Sequence, residues 1–185
     1  MYGIRLPAVA VTAKGMQLTY REIWALAHGM LIGGPFLLAF TGGLVALSGL
    51  RSDYLTADGI SVAVKRLRLG TVGMAVMAWT IVLTGTWVLL PWYREDTPDS
   101  PRSILLSSPS TRQWHEFGDV WKTHVAFMAP ILATAAAALV VHYGPRLARD
   151  RTARNLVLAL FLGAFAVASL AALLGSLVTR AAPLR

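Results

Sequence analysis

Residues 23–50 read IWALAHGMLIGGPFLLAFTGGLVALSGL, a run without a single Asp, Glu, Lys or Arg. About 20 helical residues cross a hydrocarbon core roughly 30 Å thick, so the run is long enough to span a bilayer. Three further uncharged runs follow, Leu69–Tyr93, Thr123–Pro145 and Asn155–Thr179. Together they predict an all-α integral membrane protein, a four-transmembrane-helix bundle with spans near 23–50, 69–90, 122–143 and 155–179. The connections are too short to bury a second core, so residues 1–185 are expected to form one membrane domain. Residues 1–21 then form an N-terminal segment, and 91–121 an ordered or partly helical extramembrane connection.

The composition points the same way. Charged residues make up 14% of the chain, against about 25% in soluble domains. The net charge of +8 sits beside the hydrophobic ends, in Lys65-Arg66-Leu67-Arg68 and in Arg146, Arg149, Arg151 and Arg154. Cations there meet lipid headgroups and fix topology, which argues for the bilayer and against nucleic acid as partner. The absence of cysteine excludes disulfides, thiolate metal sites and c-type haem attachment. Residues 1–21 contain Arg5, Pro7, Lys14 and Gly15 and lack a compact apolar run, so no cleavable signal is expected. The excess of arginine over lysine and the abundance of alanine suggest a bacterial source, hence the inner (cytoplasmic) membrane.

Local signals mark the helix boundaries. Thr19 and Glu22 are spaced as a capping box. Pro35 and Pro130 are expected to kink their helices, because proline removes a hydrogen bond and crowds the preceding turn. The second helix is expected to end at Pro91, and Gly144-Pro145 is a stop signal. Ile104-Leu105-Leu106 and Trp114 would be exposed apolar groups unless the long connection were partly ordered, and 111–121 reads as a helical approach. Gly29 and Gly33 form a GxxxG pair, and Ala164, Ala168, Ala172 and Ser176 repeat every fourth position; such residues let helices approach closely in lipid.

Trp24, Trp87, Trp92, Tyr93, Trp114 and Trp121 all fall towards the side of the N-terminus and the long connection. The opposite side has the two short basic connections. This pattern predicts that 51–68 and 146–154 face the cytoplasm, with both termini and the 91–121 connection outside.

Three of the four histidines, His28, His124 and His142, lie inside the uncharged runs. Successive spans put His28 and His124 on the same membrane side. Imidazoles from two helices of a bundle can ligate one b-type haem axially, here between the first and third helices. Arg21, Arg112 and Lys122 lie near enough in sequence to pair with propionates, and Met30 and Met128 are alternative ligands. The competing reading makes both histidines interfacial or packing residues. His142, at the other end, is a weaker candidate for metal or a second haem, with Met74 or Met77 as its only available partners. His115, with Glu116 and Asp119, reads as a solvated amphipathic face more readily than as a surface metal site.

No Walker motif, GxSxG, HExxH or dinucleotide fingerprint appears, so catalysis by the chain's own side chains is not expected. A transporter is disfavoured by the lack of intramembrane charge. In architecture alone, histidines on two helices of a four-helix membrane bundle resemble small b-type cytochrome subunits. The chain lacks the multi-histidine pattern of the cytochrome b561 family and the paired histidines of the bc-complex cytochrome b. The sequence therefore suggests a small membrane subunit of an electron-transfer or respiratory-type complex, binding one haem b. The alternatives are a cofactor-free accessory subunit that stabilises a larger membrane complex and, further off, a pigment-binding protein.

Overall fold

A computed structural model describes residues 11–13, 16–50 and 56–182. Arg5, Pro7, Lys14, Gly15 and Asp53, singled out in the sequence, lie outside the described residues. A short antiparallel ribbon opens the chain: β1 (Val11–Ala13) pairs with β2 (Met16–Leu18), Val11 opposite Leu18. Four long apolar helices follow, each able to cross a membrane by length and composition. They are α1 (Tyr20–Ser48), α2 (Ala57–Tyr93), α4 (Pro109–Ala148) and α5 (Arg151–Ala181). A single short helix, α3 (Pro101–Leu106), lies in the connection between α2 and α4.

The capping box forms as the sequence predicts. The Thr19 hydroxyl accepts the Glu22 backbone N–H at 3.2 Å, and the Glu22 carboxylate accepts the Thr19 N–H at 2.8 Å. The helices are longer than the uncharged runs. In particular α4 begins at Pro109, so the whole of the expected approach segment, 111–121, including Asp119, is part of the long helix itself. Charge alone had set the expected start at residue 122. A helix can continue through charged residues where they find partners or reach headgroups. Likewise α2 does not stop at Pro91 but continues to Tyr93.

Pro35, Pro91 and Pro130 each follow a break in α-helical register. Pro35 comes just after a π-helical segment at Ala27–Ile32, and Pro91 just after another at Gly85–Leu89. Proline leaves the carbonyl four residues earlier without its α-helical donor. Those carbonyls, on Leu31 and Trp87, fall inside the widened turns. At Pro130 the break is a turn at 126–127, where the Ala129 N–H takes the Ala126 carbonyl at 3.2 Å.

α1 packs on α2, α2 on α4, and α4 on α5. All four contribute to a central cluster: Phe36 and Phe40 from α1, Met74 and Ala78 from α2, Ala133 and Ala136 from α4, Phe161 and Ala164 from α5. Bulky rings meet alanines, and Phe40 stacks on Phe161 and Phe165 with centroids 5.2 and 3.9 Å apart. Outward positions are apolar as well; Leu38 is 75% and Leu69 77% exposed. Water would penalise so much exposed apolar surface, whereas a hydrocarbon surrounding does not. The connection between α2 and α4 is anchored by Leu105, which is fully buried beside Tyr93 and Val178.

Gly43 of α1 and Gly70 of α2 bring their helices backbone to backbone. A Cβ on Gly70 would stand 2.7 Å from the Gly43 Cα and 2.8 Å from its nitrogen. Gly29 has open space where a Cβ would go, and the only atom near Gly33 is its own helix's His28 carbonyl, 3.9 Å away. The close contact therefore does not use the Gly29/Gly33 pair. The small-residue stripe of α5 also turns away: Ala164 is buried, whereas Ala172 and Ser176 are exposed. A four-residue repeat overshoots the 3.6-residue turn and drifts around the helix.

These contacts predict opposite effects for two like substitutions. Gly70→Ala forces backbone against backbone, and overpacking of this kind costs about 1–3 kcal/mol. Gly29→Ala meets no neighbour and gains helix propensity, up to about 1 kcal/mol. Thermal unfolding in detergent should show a lowered midpoint for Gly70→Ala and an unchanged or raised one for Gly29→Ala. Equal midpoints for the two variants would refute the packing argument.

Candidate functional site

The polar groups of the tryptophan-rich end gather where three of the four long helices leave α-helical geometry. His28 lies in the π-helical segment of α1, Gly85 opens that of α2, and Asp119 lies in the one at Trp114–Trp121 of α4. Single π-turns within α-helices are frequent at functional sites. Each widened turn swings the side chains beyond it to a new face.

His28 is half-buried between α1 and α2, and its Nδ1 lies 2.8 Å from the Thr84 hydroxyl. That hydroxyl donates its one proton along its own helix, to the Thr80 carbonyl at 2.7 Å. With that bond kept, it accepts from the imidazole, and the neutral ring would then carry its proton on Nδ1. Nε2 has no hydrogen-bond partner among the described residues. Gly85 gives the ring room, because a Cβ there would meet Cε1 at 3.3 Å and Nε2 at 3.8 Å.

Lys122 of α4 reaches the same layer. Its ammonium lies 3.3 Å from where a Cβ on Gly175 of α5 would stand, and it is within electrostatic reach of both His28 and Asp119. It finds no hydrogen-bond acceptor among the described residues. Asp119 is 3% exposed, and its Oδ2 is buried without a hydrogen bond. Arg94 approaches that oxygen at 3.6 Å, close enough to offset charge but too far to bond. One step further towards the end, the Tyr93 hydroxyl and His115 Nδ1 are 2.7 Å apart, with their rings stacked. The layer thus holds a basic nitrogen, an ammonium and a carboxylate that do not fully satisfy one another. A buried polar group left unpaired is costly, so such a layer is suited to taking in an oxygen-bearing group or water.

The structure brings His28 together with Lys122, not with His124. His124 is exposed, and its Nδ1 donates to the Val120 carbonyl of its own helix at 2.7 Å. Two residues along an α-helix turn it by about 200°, so a helix that aims Lys122 inward aims His124 outward. Sharing a membrane side did not mean sharing a face. Arg21 forms a two-pronged bond to the Glu95 carboxylate at 2.7 and 2.9 Å and sits over the Trp92 ring, while Arg112 is exposed. Met30 and Met128 are exposed, and Met74 is fully buried in the central cluster. His142, at the basic end, is exposed and lies edge-on to Tyr143. No group of three or more metal-binding side chains occurs among the described residues.

Sequence reading missed Thr84, Tyr93, Arg94 and the burial of Asp119. Threonine is unremarkable in a span, and Asp119 was assigned to the connection because it is charged. Helical spacing could not have supplied the signal, because the register changes across Trp114–Trp121.

Comparison with protein-family models, with curated proteins and with solved structures finds no match to this chain.

Asp119 and Lys122 should be energetically coupled. Asp119→Asn and Lys122→Met each remove one of two charges within electrostatic reach of each other but not joined in an ion pair among the described residues. Each should therefore cost less than breaking a buried pair, which costs about 3–5 kcal/mol. The double variant should lose less than the sum, with a coupling of about 1 kcal/mol or more. A thermal-unfolding double-mutant cycle measures this. Additivity within about 0.5 kcal/mol would show that the two charges are independent.

Proposed function

We propose that this chain is a small multi-pass subunit of a bacterial electron-transfer or respiratory-type membrane complex, working through the polar layer around His28. The observation that carries the reading is the presentation of that imidazole. Thr84 bonds Nδ1, Gly85 lets the ring lie close against α2, and Nε2 has no hydrogen-bond partner among the described residues. An axial ligand of a b-type haem needs one free ring nitrogen and a group bonded to the other to orient it. The Lys122 ammonium suits a propionate at the same level. A haem held here would pass single electrons between partners of the complex. The proposal includes the inner membrane as location and the four helices as one transmembrane bundle. It puts the tryptophan end and both termini outside and the basic connections in the cytoplasm, following the distribution of Lys and Arg.

One observation favours a second reading, a cofactor-free accessory subunit. His124 lies outward on an exposed face with Phe117, Val120 and Met128, where a neighbouring subunit would meet it. On that reading His28, Lys122 and Asp119 serve only to hold the helix ends together.

A reduced-minus-oxidised spectrum of the purified protein distinguishes the two. The haem reading expects Soret and α bands in the wild type, their loss in His28→Ala, and their retention in His124→Ala. A preparation shown to retain cofactors but lacking both bands would sink it. The accessory reading would then stand if larger membrane subunits co-purify with His28→Ala as well as with the wild type.

A further inference from the structure

A half-open cavity of about 810 Å³ lies at the basic end, between the start of α2 and the turn joining α4 to α5. Its floor is apolar, from Ala57, Ile60 and Pro145, and its rim carries Arg146, Arg149 and Arg151. All three arginines are exposed, and none makes a side-chain hydrogen bond or ion pair among the described residues. The acid in the lining, Asp150, is committed elsewhere: its Oδ1 accepts the Ala153 N–H at 2.9 Å and caps α5. Among the described residues the lining therefore sets three cations against the single carboxylate of Asp150 and is net positive.

The turn that presents these arginines is itself firmly built. Gly144 adopts a positive φ of 53°, which a side chain would resist, and the Arg68 guanidinium lies 3.0 Å from where a Cβ would be. Arg154 donates to the carbonyls of Leu147 and Ala148, each at 3.1 Å, and closes the turn from below. Leu147 and Ala148 are buried beside Val157 and Leu67. Arg146 and Arg149 are thus displayed from a held turn, and Arg151 stands at the N-terminus of a long helix, whose dipole adds to the positive potential.

We infer that this cavity is a binding site for the phosphate of an anionic phospholipid. Guanidinium forks match phosphate oxygens two at a time. The apolar floor, continuous with the hydrocarbon-facing ends of the helices, receives the start of the acyl chains. A free phosphate would use the rim and gain nothing from the floor. This inference is independent of the proposed function, since it uses the opposite end of the molecule.

The test is native mass spectrometry of the full chain, purified in mild detergent and incubated with equal parts phosphatidylglycerol and phosphatidylcholine. Two charge-matched double variants separate a site from diffuse attraction: Arg146→Gln with Arg149→Gln, and Lys65→Gln with Arg66→Gln. Lys65 and Arg66 are also exposed and near the same end, but do not line the cavity. The expected result is preferential retention of phosphatidylglycerol by the wild type. It should fall by about tenfold or more in the first double variant and less than about twofold in the second. Circular dichroism and the thermal midpoint should match the wild type in both. Equal losses in the two variants, or equal retention of the two lipids, would overturn the proposal. So would displacement of the bound lipid by millimolar inorganic phosphate at constant ionic strength.

Discussion

Inside hydrocarbon no water is available to a polar group, so each must be satisfied by the protein or left at a cost. Much of this structure follows from that constraint. Thr41, Thr71, Thr80, Thr134 and Thr179 each turn the hydroxyl back to a carbonyl four residues earlier. Threonine can therefore be placed in a span without calling on another helix. Among the described residues, side-chain hydrogen bonds between the uncharged runs join the long helices at Trp79–Thr134 and at His28–Thr84. Of these, His28 is the one with a basic nitrogen left over.

The same constraint connects the prolines to the site. A proline in a span frees a carbonyl, and a widened turn is one way to accommodate it. Pro35 and Pro91 each follow such a turn, and those turns contain His28 and Gly85. The residues that disturb the helices are thus neighbours in sequence of the residues that form the polar layer. The disturbance fixes where His28 points and puts a glycine opposite it. Close packing between Gly43 and Gly70 then holds α1 against α2 below the layer, so the His28–Thr84 bond is made between helices already in register.

Much of the architecture was legible in the sequence because it depends on properties that survive local irregularity. Uncharged length predicted four long apolar helices, the spacing of Thr19 and Glu22 predicted a cap, and Gly144-Pro145 predicted the end of α-helical geometry at Tyr143. Beyond that point α4 tightens into 3-10 turns to Ala148. The site was less legible, for two reasons. Facing was inferred from membrane side, yet His124 and Lys122, two residues apart, take opposite sides of one helix. Helical periodicity also assumes 3.6 residues per turn, which fails across Ala27–Ile32 and Trp114–Trp121. A pattern read through those segments assigns the wrong neighbours to everything beyond them. Asp119 adds a third lesson: a charged residue marks the end of a hydrophobic run, not the end of a helix.

The two ends of the molecule differ in what they leave unsatisfied. The tryptophan end leaves a nitrogen, an ammonium and a carboxylate facing one another in the interior. The basic end leaves three guanidiniums facing outward. Between them lies the cluster of Phe36, Phe40, Met74, Ala133, Ala136, Phe161 and Ala164, with no ionisable group in it. A charge moving along the chain from one end to the other would have to pass that cluster without an ionisable group among the described residues to carry it. The polar layer is therefore placed to exchange with something on its own side of the membrane, or laterally with a neighbour, and not with the basic end of the same chain. That separation of the two ends is what the proposed reading as a subunit of a complex draws on.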